Sequence, residues 1–236
     1  MKIIRSRVTV FVLTACILGI LLASAFLTDK AVKVYSENEQ LRDRVCVIID
    51  AGHGGVDGGA VSCTGAKESN INLEIALRLN DLLHLLGIKT YMIRTEDISV
   101  YTSGNSIAAK KVSDLKERVR IINQAENAIL ISIHQNNFDD SRYSGAQVFY
   151  NTDPLLARNL QSAFVQTLNP GSKRKAKKAD GVYLMQNITC PGYLVECGFL
   201  SNHSEEALLR DPAYQKKLCC VIGVVLSCSI NNGSVA

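Results

Sequence analysis

The feature that most constrains this chain is an alternation: from residue 45 onward, short apolar runs take turns with longer amphipathic stretches. "VCVIID" (45–50), "IKTYMIR" (88–94), "AILISIH" (128–134), "AQVFYN" (146–151), "GVYLM" (181–185) and "GYLVECG" (192–198) predict strands. "NINLEIALRLNDLLHLLG" (70–87), "DLKERVRIINQAE" (114–126), "PLLARNLQSAFVQTL" (154–168) and "PAYQKKLCCVIGVVLSCSI" (212–230) predict helices; two open on proline and one closes on glycine. Residues 95–113 are polar and predict irregular chain. The pattern implies an α/β fold, a sheet covered by helices on both faces, with no internal repeat and no second module after it.

At 236 residues and 47% hydrophobic content, the chain can bury one full core with a short appendage. The appendage is N-terminal. Lys2, Arg5 and Arg7 precede "VTVFVLTACILGILLASAFL" (8–27), twenty residues without a charge, long enough to span a bilayer with the positive flank in the cytoplasm. Ala23-Ser24-Ala25 also offers a cleavage site, so residues 1–28 read as a signal peptide or a signal anchor. Both readings export the rest, tethered to the membrane or secreted. Leu13-Thr14-Ala15-Cys16 has the look of a lipoprotein signal, but the apolar run continues well past Cys16. Residues 29–44 are polar and read as a tether.

The net charge of +4 shrinks once this segment is set aside, because 23 basic then face 22 acidic residues. Such a balance is no footprint for nucleic acid. Charge concentrates only in "KRKAKK" (173–178), a solvated loop or a face for an anionic polymer. Of eight cysteines, Cys16 lies in the apolar segment and most others sit in apolar runs where a thiol acts as a small hydrophobe. No C-x-x-C pair exists, which argues against a cysteine zinc site, while one disulfide stays open.

After "VCVIID", five glycines surround His53 in "AGHGGVDGGA" (51–60). A phosphate cradle is one reading of such a loop. The dinucleotide fingerprint fails, however, because Asp57 stands where the third glycine belongs, and the phosphate loop's lysine is missing. The metal reading gains from the other histidines. His84 falls within a leucine-rich helix end, and His203 reads as surface near a helix start. His53 and His134 each lie just beyond the carboxyl end of a predicted strand, the edge where open α/β sheets bind ligands. Glu196 comes late in an apolar strand, where an unpaired carboxylate is costly to bury, and Glu68 precedes the first helix. Two histidines and a glutamate form a catalytic zinc donor set with a fourth position left for water, and a second carboxylate can move protons. The bland alternative makes Glu68 a first-turn carboxylate and Glu196 half of a buried ion pair.

"IDAGHGGVDGGA", "KESNINL", "SIHQNN" and "LVECGFLSN" occur in this order in the zinc-dependent N-acetylmuramoyl-L-alanine amidases of the Amidase_3 family, which the chain resembles over residues 45–230. "SGAQVFYN", "RKAK" followed by "VYLMQN", and "CPGYLVECGFLSN" look like the germination-specific, spore cortex members. The resemblance implies a single catalytic domain over 45–230, with a tail at 231–236, built on a twisted, mixed, mostly parallel sheet. It implies that His53, Glu68 and His134 bind Zn2+, that Glu196 is the catalytic carboxylate, and that Asn136 helps orient substrate. The implied reaction cuts the amide between N-acetylmuramic acid and L-alanine in peptidoglycan, in the spore cortex or intermembrane space. A polysaccharide deacetylase would then act on the product to form muramic δ-lactam. The departures are Gln135, where relatives often have a small or apolar residue, and Cys190 and Cys197 flanking the catalytic strand.

Three rivals follow from the same residues. A wall-binding module without catalysis would have lost a ligand or the second glutamate, and neither is missing. A zinc peptidase would cut inside the stem peptide with the same chemistry. A cysteine hydrolase through Cys190 or Cys197 lacks an electropositive loop. A lone domain behind a tether also implies action close to the membrane, or an accessory or regulatory protein that places the enzyme.

Overall fold

A computed structural model describes residues 45–233, together with Ile20, Ala23, Ser24 and Leu27. The readings of residues 1–28 as signal or anchor, of 29–44 as tether and of 231–236 as tail fall largely outside these residues. Chain contacts divide the protein into Met1–Leu41 and Arg42–Ala236, and the fold below belongs to the second unit.

Six strands form one sheet: β1 (Cys46–Ala51), β2 (Lys89–Met92), β3 (Ala128–Asn136), β4 (Gln147–Tyr150), β5 (Lys177–Lys178) and β6 (Gly192–Phe199). Their order across the sheet is β2-β1-β3-β6-β4-β5. All neighbours are parallel except β4 and β6, which makes the sheet mixed and mostly parallel, as expected. Val47, Ile48, Ile49, Leu130 and Ile131 are fully buried because helices cover both faces. One face packs on α1 (Glu68–Leu85), α3 (Pro154–Thr167) and α6 (Pro212–Asn231) through Ile75, Leu79, Leu160, Phe164, Ile222 and Leu226. The other packs on α2 (Ile107–Asn123) and α4 (Tyr183–Asn187) through Ile122, Leu184 and Met185. Helix α5 (His203–Leu209) follows β6. By length and composition α6 could cross a membrane, yet half of it is buried here as a core helix.

Caps explain most helix starts. Asp153 and Asp211 accept the Leu155 and Ala213 amides ahead of Pro154 and Pro212, and Asn202 accepts those of Ser204 and Glu205. Two predicted elements are corrected. The stretch expected as a strand at 181–185 instead turns at Gly181 and forms α4, so that Leu184, Met185 and the following Ile188 share one apolar cluster. Helix α2 begins at Ile107 rather than near 114, started by Ser106, whose side chain accepts from the Ala109 amide. Its first turns lie mostly at the surface, Ile107 and Val112 included, so no buried apolar face announced them. Strand β3 also runs on to Asn136, which puts His134 inside the strand. The seven described cysteines are free thiols.

Candidate metal centre and active site

The carboxyl edge of the sheet carries the site. β1 ends at Ala51 and the chain turns sharply, with His53 at a φ of 62°, a left-handed conformation unusual outside glycine. Buried cations hold that turn. Arg118 donates to the carbonyls of His53 (2.7 Å) and Ala51 (3.1 Å), and it pairs with Asp50 and Asp114. Arg94 donates to the carbonyls of Ala51, Gly52 and Ser69. Ser132 donates to Asp50 from the neighbouring strand, so the sheet itself anchors the network.

Glu68 is the first residue of α1 and is only 3% exposed. Its Oε2 accepts the Ala60 amide at 2.9 Å, and its Oε1 accepts the Gln135 amide at 3.1 Å and the Asn72 side chain at 3.3 Å. These bonds fix one rotamer. Nε2 of His53 lies 3.3 Å from one Glu68 oxygen and Nδ1 of His134 lies 3.1 Å from the other. The three donor atoms lie within 4.8 Å of one another. On its far side, Nδ1 of His53 is 2.8 Å from Asp57, which in turn pairs with Lys111 at 2.7 Å.

The glycines have a specific role here. A Cβ on Gly52 would stand 2.2 Å from the His134 ring, and one on Gly59 would stand 2.6 Å from a Glu68 oxygen. Only a bare backbone lets the loop close over these side chains.

Two imidazoles and a buried carboxylate converging at this distance fit the three-ligand set of a catalytic zinc, with Asp57 orienting one imidazole from behind. Without a metal, protons balance the charge. Burial opposes a charged His53, but its bonds to and attraction by Glu68 and Asp57 raise it to about 9. Burial would likewise raise Glu68, yet bonds to His134 and His53 hold it far below the usual carboxylate range.

Glu196 sits opposite His134 in the β3–β6 register. Burial pushes its pKa up to about 7, and Oε2 has no hydrogen-bond partner among the described residues. Asn136 is half-buried at the register shift of β3, and its side chain accepts the Asn137 amide. Thus the structure gathers His53, Glu68 and His134 at one point, with Glu196 opposite His134 on the neighbouring strand and Asn136 two residues further along β3. His84 bonds Thr90 at the exposed end of α1, and His203 is exposed at the start of α5, both away from this group. Sequence reasoning missed Asp50, Asn72, Arg94, Asp114 and Arg118 as the scaffold of the loop. Asp50 at the end of an apolar strand and Arg118 in an amphipathic helix were the available signals.

The Amidase_3 family, described as N-acetylmuramoyl-L-alanine amidase, matches residues 47–223, and the chain belongs to it. It is therefore an amidase of the cell-wall hydrolase class. The germination-specific N-acetylmuramoyl-L-alanine amidase of Bacillus subtilis (strain 168) is 41% identical over 183 residues, covering 75% of this chain and 76% of the relative. Among solved structures, the CwlD amidase from Clostridioides difficile, in complex with the GerS lipoprotein, superposes with a TM-score of 0.74 at 36% identity, covering 78% of this chain and 98% of that one. The amidase AmiC2 of Nostoc punctiforme gives a TM-score of 0.67 at 26% identity, covering 78% and 95%.

Proposed function

We propose that this chain is a zinc-dependent N-acetylmuramoyl-L-alanine amidase of the spore cortex, with His53, Glu68 and His134 as zinc ligands and Glu196 as the catalytic acid–base. The observation that carries this reading is the convergence of three ligand atoms within 4.8 Å beside the buried carboxylate of Glu196, whose Oε2 has no hydrogen-bond partner among the described residues. When bound, zinc supplies a Lewis acid for the scissile carbonyl and for water.

The protein's own groups do the rest. Asp57 holds the His53 ring so that Nε2 faces Glu68, and the Ala60 and Gln135 amides keep the Glu68 carboxylate from swinging away. Glu196, poised near neutrality, takes the proton of the attacking water and returns it to the departing L-alanine amine. Asn136, two residues beyond His134 on β3, is assigned to orienting substrate.

The cortex assignment is supported by the likeness to the germination-specific relative, and extracellular action by the apolar segment at 8–27. Because the CwlD relative was solved with a lipoprotein, we assign this chain an accessory protein of that kind. A polysaccharide deacetylase downstream of its product is assigned on the family resemblance alone. The test is mass spectrometry of cortex peptidoglycan incubated with the zinc-loaded protein and with Glu196→Gln. Stem peptides bearing a free L-alanine amine are expected with the former alone; cleavage inside the stem would make the enzyme a peptidase.

A further inference from the structure

Two depressions flank the catalytic group along the sheet edge, and their charges differ in kind. One, of about 290 Å³, is lined by His53 and His134 together with Leu115, Val182, Leu184 and Leu194. Its charged side chains are matched among themselves, Lys111 with Asp57 and Arg118 with Asp50 and Asp114. The other, of about 950 Å³, lies beyond Glu196 and is lined by Gln147, Lys173, Arg174, Lys175, Lys177 and Arg142, with no acidic residue in its wall. Arg142 is tied to Asp140 at 2.7 Å, but no ion pair among the described residues neutralises the other four cations. The carboxylate that bears on Arg174 is that of Glu205, which is buried and occupied by the Gly145 and Phe199 amides.

This cleft is connected to the chemistry by one strand. Gln147 pairs with Glu196 in the β4–β6 register. Arg174 donates to the Gln147 side chain at 3.1 Å and to the Ser144 carbonyl at 2.8 Å, and its guanidinium lies over the buried Phe199 ring at 4.7 Å. It is thus a fixed cation, with exposed lysines on both sides. Across the edge the order is His53, His134, Glu196, Gln147 and then the Lys177 strand, following β1, β3, β6, β4 and β5. From β6 to β5 is about 10 Å, the reach of roughly three extended residues.

We infer that the Lys173–Lys177 cleft receives the carboxylates of the departing stem peptide. Substrate then lies across the edge in one direction, neutral glycan toward β1 and acidic peptide toward β4 and β5. This rests on the amidase reading, under which the substrate joins an uncharged N-acetylated glycan to a peptide that carries free carboxylates. The basic run left unassigned by the sequence thereby gains a role in choosing and orienting substrate.

Titration calorimetry tests this on full-length protein with one equivalent of zinc, independently of turnover. The probes are a synthetic tripeptide that begins with L-alanine and carries two free carboxylates, and its counterpart with both carboxylates amidated. The acid is expected to bind about tenfold more tightly than the amide, and this preference should weaken with salt. A triple Lys173→Gln, Lys175→Gln, Lys177→Gln variant, whose changes are on exposed side chains, should keep its Tm and lose the preference. Equal affinity for the two peptides, no detectable binding of the acid, or a preference that survives the triple change would overturn the inference. A variant that keeps the preference but detaches from intact wall would also overturn it, and would reassign the lysines to an anionic polymer. Release of L-alanine-terminated peptides is scored separately: a protein that cleaves wall without discriminating the probes sinks only this inference. One that discriminates them without cleaving keeps the cleft's preference for acidic peptide and sinks the amidase reading.

Discussion

Glu68 and Glu196 flank His134 from two sides, and their surroundings treat them in opposite ways. Glu68 receives two backbone amides and faces two imidazoles, which holds it ionised despite its burial. Glu196 has no hydrogen bond on Oε2 among the described residues, and burial lifts it to about 7. Two residues of one type are thereby pushed toward different work: a permanently charged, immobile carboxylate suits a metal, while one poised near neutrality suits a proton in transit. Environment, rather than residue type, separates the roles.

The comparison breaks most visibly if the two glutamates are exchanged for glutamine in turn. Glu196→Gln should lower kcat by about 10²–10⁴-fold while zinc content, read by elemental analysis, stays near one per chain. Glu68→Gln should lose both. Loss of zinc in the Glu196 variant would collapse the distinction.

A smaller effect is expected behind the imidazole. Asp57→Asn keeps the shape but weakens the acceptor that orients His53, so zinc affinity measured against a competing chelator should fall about 10–100-fold. An unchanged affinity would mean that the loop backbone alone aims the ring.

The smallest effect carries the sharpest sign. In metal-free protein, Glu196 has a folded-state pKa raised from 4.5 to about 7, so its contribution is intact below pH 4.5 and is lost as pH rises through 7. Glu196→Gln should therefore raise stability at pH 8 by about 3 kcal/mol and change little below pH 4.5. Glu68 has a lowered pKa, so its contribution is present above 4.5 and fades as pH falls, and Glu68→Gln should destabilise at neutral pH. Thermal melts in chelator across this range should show the two variants moving in opposite directions.

Much of this was legible from residue order. The central strands β1, β3 and β6 read as apolar runs because they are buried on both faces, and two helices were found by their proline starts, which Asp153 and Asp211 cap in the structure. The start of α2 and the whole of β5 stayed hidden, since helix turns that bury no face and a two-residue strand carry no periodicity. Helix α4 was misread because five residues are too few to separate a period of 2 from one of 3.6, and contact with the sheet decided it.

The site divides along the same line. The sequence by itself determined the chemical inventory, with His53 and His134 at the sheet's carboxyl edge, the glycines around them and two available glutamates, because side-chain chemistry and strand polarity are local properties. Which glutamate faces both imidazoles, the antiparallel β4 that sets the lysine-rich strand two places from the Glu196 strand, and the Arg94 and Arg118 network under the loop were decided only by tertiary structure. Each depends on groups far apart in the chain whose burial and hydrogen bonds exist only once the sheet has assembled.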